Sequence, residues 1–390
     1  MYHTTLQGKD TDSEVLLAAL ELSAKDWKVA MGARGRTRQV TVPAGNLPAL
    51  LQALDTAKAR LGLDPAAPVV SCYEAGRDGF WIHRELEKAG VTNLVVDAAS
   101  IEVDRRQRRA KTDRLDARRL LAQLQRFHGG ERKALRTVVA PSVADEDARR
   151  PHRELERLRK ERTAHGNRMR SLFTLHGYRL KVGVHVSEQV SELGERLPPH
   201  LGAEVLREYE RWQMVSGQIH ALEVELRAEL AQETPTDPAI CLIQQLMKLC
   251  AIGDASGRLF VREFFGWRRF DNRRQVAAAA GLTGTPYNSG TMEREQGISK
   301  AGNRRVRAIL IEIAWGWLRF QPDSPLSLWF KERFTGSARL RRIGIVAVAR
   351  RLLIDLWRYL KDGVIPAGVK FKAGEPPEGV HVKTAVAAAA

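Results

Sequence analysis

The stretch VLLAALEL, residues 15–22, runs six apolar residues before its first charge, Glu21. A short unbroken apolar run reads as a buried strand. Working outward, WKVAMGA (27–33) and RQVTV (38–42) read as two more strands joined through the turn-like RGR, which makes an antiparallel meander. NLPALLQALDTAKARLG then spaces Leu50, Leu51, Leu54 and Leu61 as a helix does. A strand follows at VVSCYEA (69–75), then a helix from about Phe80 to Lys88, a strand at NLVVDA (93–98), and a helix starting near Asp113. The order βββαβαβα fits one mixed sheet flanked by helices.

That sheet decides where the acids fall. Glu21 lies near the end of the first strand and Glu74 near the end of the fourth, just before a glycine turn. With the first strand central and the fourth beside it, these two ends are neighbours. KTDRLDARRL (111–120) adds Asp113 and Asp116, three apart on a helix and therefore on one face. Carboxylates that close raise each other's pKa unless positive charge stands between them. Arginines could supply it, and so could a divalent cation; Mg2+ takes hard oxygen ligands, and Mn2+ is its substitute. Paired ions of this kind serve phosphodiester chemistry. Asp97, Asp26 and Asp78 are rival ligands, Asp97 the strongest because it ends a strand. The topology is similar to the ribonuclease H-like fold, and an acid on each of two strands plus DxxD on the last helix resembles its RuvC-like branch. Sugar kinases and actin-like ATPases share that fold but need glycine-rich phosphate loops, which this chain lacks.

Composition narrows the partners. The 390 residues include 63 Lys and Arg against 46 Asp and Glu, a formal charge of +17. Such a surplus points to a polyanion. No apolar run reaches membrane-spanning length and no signal-peptide pattern opens the chain, so a membrane partner is not expected. Cys72, Cys241 and Cys250 form no CxxC pair, which disfavours zinc and disulfides and suits a reducing cytoplasm.

The middle changes character. Leu155, Leu158, His165, Met169 and Leu172 recur in helical steps, as do Trp212, Val215, Ile219, Leu222, Leu226 and Leu230. Two long amphipathic helices, or a coiled coil, are predicted, and ETPTDP (233–238) ends them as a linker. From Ala239 to about Leu360 the chain reads as mostly helical. LCAIGDASGRLFVREFF (249–265) looks like half of a helix–hairpin–helix, whose turn offers backbone amides to a DNA phosphate. In GLTGTPYNSGTMEREQGISKAGNRRVRAIL (281–310), Tyr287, Asn288, Ser289 and Gly290 read as a polar turn. The helix after it opens with Arg304, Arg305 and Arg307, and Lys300 precedes them. A helix N-terminus with such residues suits phosphate. Arg105, Arg106, Arg108, Arg109, Lys111 and Arg114 crowd the acidic pair and are nucleic-acid contacts on the same grounds. The expected domains are 1–135, a metal-binding nuclease domain; 136–236, a helical, coiled-coil linker and oligomerisation region; 237–362, a mostly helical C-terminal domain that carries Ser289; and 363–390, a flexible tail.

The stretches LELSAKDWKVA, CYEAGRDGFW, KTDRLDARRL, LCAIGDASG, AAAAGLTGTPYNSG and GISKAGNRRVRAIL, in this order over about residues 15–330, resemble the insertion-sequence transposases of the IS-one-ten type, including its eleven-eleven subgroup. The resemblance implies a DEDD metal site at Glu21, Glu74, Asp113 and Asp116, with Glu21 where the family has aspartate. It implies Ser289 as the nucleophile of a covalent serine–DNA link, with Ser299, Thr285, Thr291 and Tyr287 as rivals. It further implies a bridge RNA as guide, DNA element ends and target as substrates, a dimer or tetramer, and a bacterial cytoplasm with nucleoid association. Two other readings stay open: a RuvC-like Mg2+-dependent junction endonuclease using water, and a non-catalytic nucleic-acid-binding protein.

Overall fold

The structure, a computed structural model, describes residues 14–76, 78–101, 113–289 and 292–373, without the side chains of 113–114 and 286–296. It divides into two compact units, Met1–Pro141 and Ser142–Ala390.

In the first unit, β1 (Leu16–Glu21), β2 (Asp26–Ala33), β3 (Arg36–Pro43), β4 (Val69–Glu74) and β5 (Thr92–Val96) form one sheet in the order β3-β2-β1-β4-β5. β1 is central, antiparallel to β2 and parallel to β4, and β4 is parallel to β5. Every residue of β1 except Glu21 is buried, as its apolar run requires. The edge strand β3 is largely exposed or half-buried. Helices α1 (Leu47–Leu61) and α2 (Trp81–Lys88) cover one face, on a core of Leu16, Ala18, Leu20, Leu50, Leu54 and Ile82. Helix α3 (Asp113–His128) covers the other, where Ala117, Leu120, Leu121 and Leu124 pack on Leu17, Ala19, Cys72 and Val96. Alternate residues of β1 thus feed opposite cores, which is the period of two in a strand. Local chemistry ends the elements. The Asn46 side chain accepts from Ala49 N at 3.0 Å to open α1, and Gly62, at φ 72°, closes it.

The second unit is built on helices. After the short α4 (Val143–Asp147), the long helices α5 (Arg150–Thr174) and α7 (Pro199–Leu230) pack as a pair, with α6 (Val186–Leu193) between them in sequence. Leu155 and Leu158 meet Val215, Ile219 and Leu226, while Met169 and Phe173 share a core with Leu201, Val205 and Tyr209. The start of one helix meets the end of the other, so the pair is antiparallel. The sequence periodicity marked α7 only from Trp212; its first three turns and α6 lie in a stretch interrupted by Pro198 and Pro199.

Beyond them come α8 (Pro238–Met247), α9 (Asp254–Phe260), a π turn over Val261–Phe265 and α10 (Arg273–Ala279). Then β6 (Gly284–Ser289) and β7 (Met292–Ile298) form a hairpin, followed by α11 (Arg304–Phe320), α12 (Pro325–Phe334) and α13 (Ala338–Asp362). Their core includes Phe260, Phe264, Leu310, Trp317, Leu352 and Tyr359. The hairpin corrects the reading of 287–290 as a polar turn. Tyr287, Asn288 and Ser289 are the last residues of β6, and Ser289 pairs with Met292 of β7. Thr285, Tyr287 and Ser289 alternate with their neighbours at the strand period, a signal that the helical surroundings mask. Residues 363–373 are also not the flexible stretch expected there. Phe371 bridges to Leu249, and Ile365 and Phe371 join the core, so their apolar side chains hold the segment down. The remaining tail, 374–390, lies outside the described residues.

Candidate functional site

The first unit gathers carboxylates at one end of its sheet. Leu20 and Tyr73 are register partners on the parallel pair β1 and β4, so Glu21 and Glu74 follow side by side at the strands' carboxyl ends. Leu17 and Ala19 face α3, and so does Cys72. The period of two therefore places Glu21 and Glu74 on the α3 side as well. At the other end of β1, Gly32 pairs with Leu17 and is covered by Leu121 and Gln125 of α3. Ala117 is buried in the same core, so the helix runs back along β1 from there. Eight residues of helix, from Leu121 to Asp113, rise about 12 Å, and four residues of strand, from Leu17 to Glu21, about 13 Å. The first turn of α3, with Asp113 and Asp116, thus lies toward the end that carries Glu21 and Glu74.

Glu74 is exposed, and Glu21 and Asp116 are half-buried. Asp116 has Arg119 Nη1 at 3.6 Å. Asp97 follows β5 but is used locally, accepting from Ala99 N at 3.0 Å to cap a short 3-10 turn. Asp26 opens β2 against Ser23 Oγ, and Asp78 sits half-buried after the glycine turn. Among the described residues, no three His, Cys, Asp or Glu side chains stand close enough to hold one metal ion. Asp113 contributes only its backbone to that description. Arg105, Arg106, Arg108, Arg109 and Lys111 lie outside the described residues, as does the side chain of Arg114.

Ser289 belongs to the second unit, at the last paired position of β6. The base of its hairpin is tightly specified. Ser299 N donates to Thr283 O at 2.8 Å, Lys300 N to Gly281 O at 3.1 Å, and Asn303 N to Ala279 O at 2.9 Å. Gly302 has φ 136°, and a Cβ there would meet Ala279 O at 2.4 Å, so GISKAGN needs this glycine for the close approach. The hydroxyls of Thr283 and Ser299 lie 3.3 Å apart, and Thr285 Oγ1 donates to Gly297 O at 3.1 Å. Two of Ser289's rivals are therefore engaged in the hairpin itself; Thr291 lies outside the described residues, and Tyr287 contributes only backbone.

The basic residues beside the hairpin divide. Lys300 and Arg304 are exposed. Arg305 Nε donates to Glu156 Oε2 at 2.8 Å, and Arg307 Nη1 to Ala280 O at 3.1 Å, so both already hold protein acceptors. The α11 N-terminus is capped by Asn303, whose Oδ1 accepts from Arg305 N and Val306 N at 3.0 and 3.2 Å. Asn303 Nδ2 in turn donates to Glu263 Oε2 at 3.3 Å.

Glu263 was not legible as a site residue. It is 1% exposed and accepts from Arg153 Nε and Nη2 at 2.6 and 2.8 Å, with His152 Nε2 at 3.0 Å. Burial pushes its carboxyl up, but the bonds from His152 and Arg153 outweigh burial and hold it well below the usual carboxylate range. The one sequence signal is a carboxylate, beside Arg262, inside the otherwise apolar VREFFGW; His152 and Arg153 lie more than a hundred residues upstream.

Residues 243–327, which carry this hairpin, match the transposase family described as IS116/IS110/IS902. Over the wider chain, a Sinorhizobium fredii protein that carries the transposase name y4rJ is 38% identical over 379 residues, 93% of this chain and 96% of that one. The chain belongs to the IS110 transposase family. Other relatives are the transposase for insertion sequence element IS1328 of Yersinia enterocolitica, 26% identical over 232 residues (58% of this chain, 67% of that one), and that for IS1111A of Coxiella burnetii, 26% identical over 272 residues (64% and 66%). This transposase is an enzyme whose substrate is DNA, which accounts for the positive charge. No helix among the described residues is long and apolar enough to cross a membrane.

Proposed function

We propose that this transposase exchanges DNA strands through a covalent serine–DNA intermediate formed on Ser289, assisted by a divalent cation at Glu21, Glu74, Asp113 and Asp116 and guided by a non-coding RNA. In this reading the first unit is a ribonuclease H-like domain of the RuvC branch. The observation that carries it is the placement of Glu21 and Glu74 at neighbouring strand ends, on the side of the helix that opens with Asp113 and Asp116. All four are carboxylates, the donors Mg2+ and Mn2+ accept. When bound, the cation supplies positive charge at the scissile phosphate. The four acids orient it, and their mutual repulsion falls once it is present.

Ser289 is the attacking group. Its Oγ gives up its proton and bonds to phosphorus, the bond from phosphorus to the departing sugar oxygen breaks, and that oxygen takes up a proton in exchange. The phosphoserine ester keeps the bond energy until a second DNA end reverses the step. Lys300 and Arg304, with Arg105, Arg106, Arg108, Arg109, Lys111 and Arg114, neutralise phosphates; Arg305 and Arg307 join them on exchange of their present acceptors. The turn between α8 and α9 offers backbone amides to DNA in the manner of a helix–hairpin–helix. The α5–α7 pair is the arm through which dimers or tetramers form, in a bacterial cytoplasm at the nucleoid.

The test is a denaturing gel of protein, element-end DNA and copurified RNA. A protein–DNA adduct is expected that needs Mg2+ and intact RNA, and that Ser289→Ala and Asp116→Asn abolish. Cleavage without adduct would instead favour a water-using nuclease, and an adduct that survives ribonuclease would remove the RNA guide.

A further inference from the structure

A concave site lies in the helical core of the C-terminal region. A cavity of about 370 Å3 opens between Phe265 at the end of the π turn, Phe270 in the loop after it, and Trp357 near the end of α13. That volume lies within the range of about 300–1,000 Å3 common for small-molecule sites. All three rings are half-buried and keep part of their surface open. Two of them are braced from behind: Phe264, itself fully buried, has its ring centroid 4.9 Å from that of Phe270 and 5.2 Å from that of Phe265. A ring already fixed by its neighbours loses little freedom when something stacks on it.

The rim is cationic. Arg268, Arg269 and Lys361 stand around the cavity against one acid, Asp271. The Asp271 carboxylate already accepts from Gln275 Nε2 at 3.1 Å. Lys361 Nζ lies 4.9 Å from the Trp357 ring centroid, and the Arg268 guanidinium 4.5 Å from that of Trp267, so both cations are held at aromatic faces. Aromatic walls under a cationic rim suit a flat π-system joined to a phosphate, which is a nucleotide. A base within a duplex is already stacked and paired; only an unpaired or extruded one can enter.

We propose that this cavity takes one unpaired nucleotide of the DNA substrate, with the base among Phe265, Phe270 and Trp357 and the phosphate on Arg269 and Lys361. The proposal is independent of the roles given to Ser289 and the four acids. It assigns a place for a displaced base during strand exchange, which duplex-binding charge alone would not provide.

The test measures fluorescence anisotropy of the full-length protein with a labelled DNA duplex carrying one bulged adenosine, and with the same duplex fully paired. The bulged probe is expected to bind more tightly. Phe270→Ala and Trp357→Ala should each weaken the bulged probe by about 5- to 150-fold, the range expected for stacking of one base. Trp357 packs against the core and its alanine variant can lose the fold, so Arg269→Gln with Lys361→Gln, both exposed, provides the second arm. That pair should reduce the preference for the bulge and lower the salt-dependence slope of the bulged probe by about one. No preference in the wild type, or a preference intact in the Arg269/Lys361 variant, overturns the proposal. Displacement of the bulged probe by ATP, or equal preference for a bulged RNA duplex, assigns the cavity to another source of nucleotide and overturns the DNA assignment.

Discussion

Glu263 and Glu74 carry the same side chain into opposite surroundings. Glu263 is buried in the second unit, with its lone pairs taken by Arg153, His152 and Asn303. Glu74 ends a strand of the first unit in an exposed position, beside Glu21 and below the helix of Asp116. A carboxylate saturated by its own protein holds a fold together. One presented at a strand end retains coordination capacity for something brought from outside. Glu208 repeats the first pattern. Burial pushes its carboxyl up, but bonds from His165 at 2.6 Å and Arg168 at 3.0 Å win and hold it at about 2. The contrast separates acids that stabilise from the acids proposed to act, and substitution can test it.

The largest expected effect is on activity. Glu74→Gln and Asp116→Asn should each lower strand transfer more than the about 10–100-fold that loss of an outer-sphere partner costs a metal site. Their melting temperatures should stay at the wild-type value; a comparable loss of melting temperature would move these acids into the structural class. Next comes Glu263→Ala, which removes one side of a buried ion pair and should destabilise the second unit by about 3–5 kcal/mol in chemical denaturation. A neutral result would mean Arg153 and His152 find water readily.

Glu208 makes a smaller, pH-dependent contribution. Its folded pKa of about 2 lies below the ordinary 4.5, so the stability it adds is fully present above pH 4.5 and is lost as pH falls toward 2. Glu208→Gln should be about 1.5–3 kcal/mol less stable at pH 7, with the gap closing through that acidic window in melts followed by circular dichroism. Asp355 is the opposite case and the smallest effect. Burial pushes its carboxyl up to about 6 from 3.8, against Arg358 and Arg351. Ionisation therefore costs stability as pH rises through 6. Asp355→Asn should gain about 1–2 kcal/mol at pH 7, and the gain should vanish below pH 4.

The first unit was largely legible because its signals are local. The apolar run of β1, the leucine spacing of α1 and the DxxD of α3 each fix an element without reference to distant residues. The positions of Glu21 and Glu74 follow from strand ends that are visible in the sequence. The second unit hid more. The β6–β7 hairpin is two short strands amid helices, and its polar residues imitate a turn. Glu208 and Glu263 draw their meaning from partners about 40 and 110 residues away, a separation no local pattern encodes. Arg305 and Arg307 read as phosphate contacts from their charge, while the fold gives each a protein acceptor.

The most direct measurement is the mass of the peptide to which DNA becomes joined. The adduct formed with Mg2+ is trimmed with nuclease and protease and sequenced by tandem mass spectrometry. The account predicts a nucleotide phosphate on Ser289. A nucleotide on Tyr287, Thr285, Thr291 or Ser299, or strand transfer with no modified peptide at all, would contradict it.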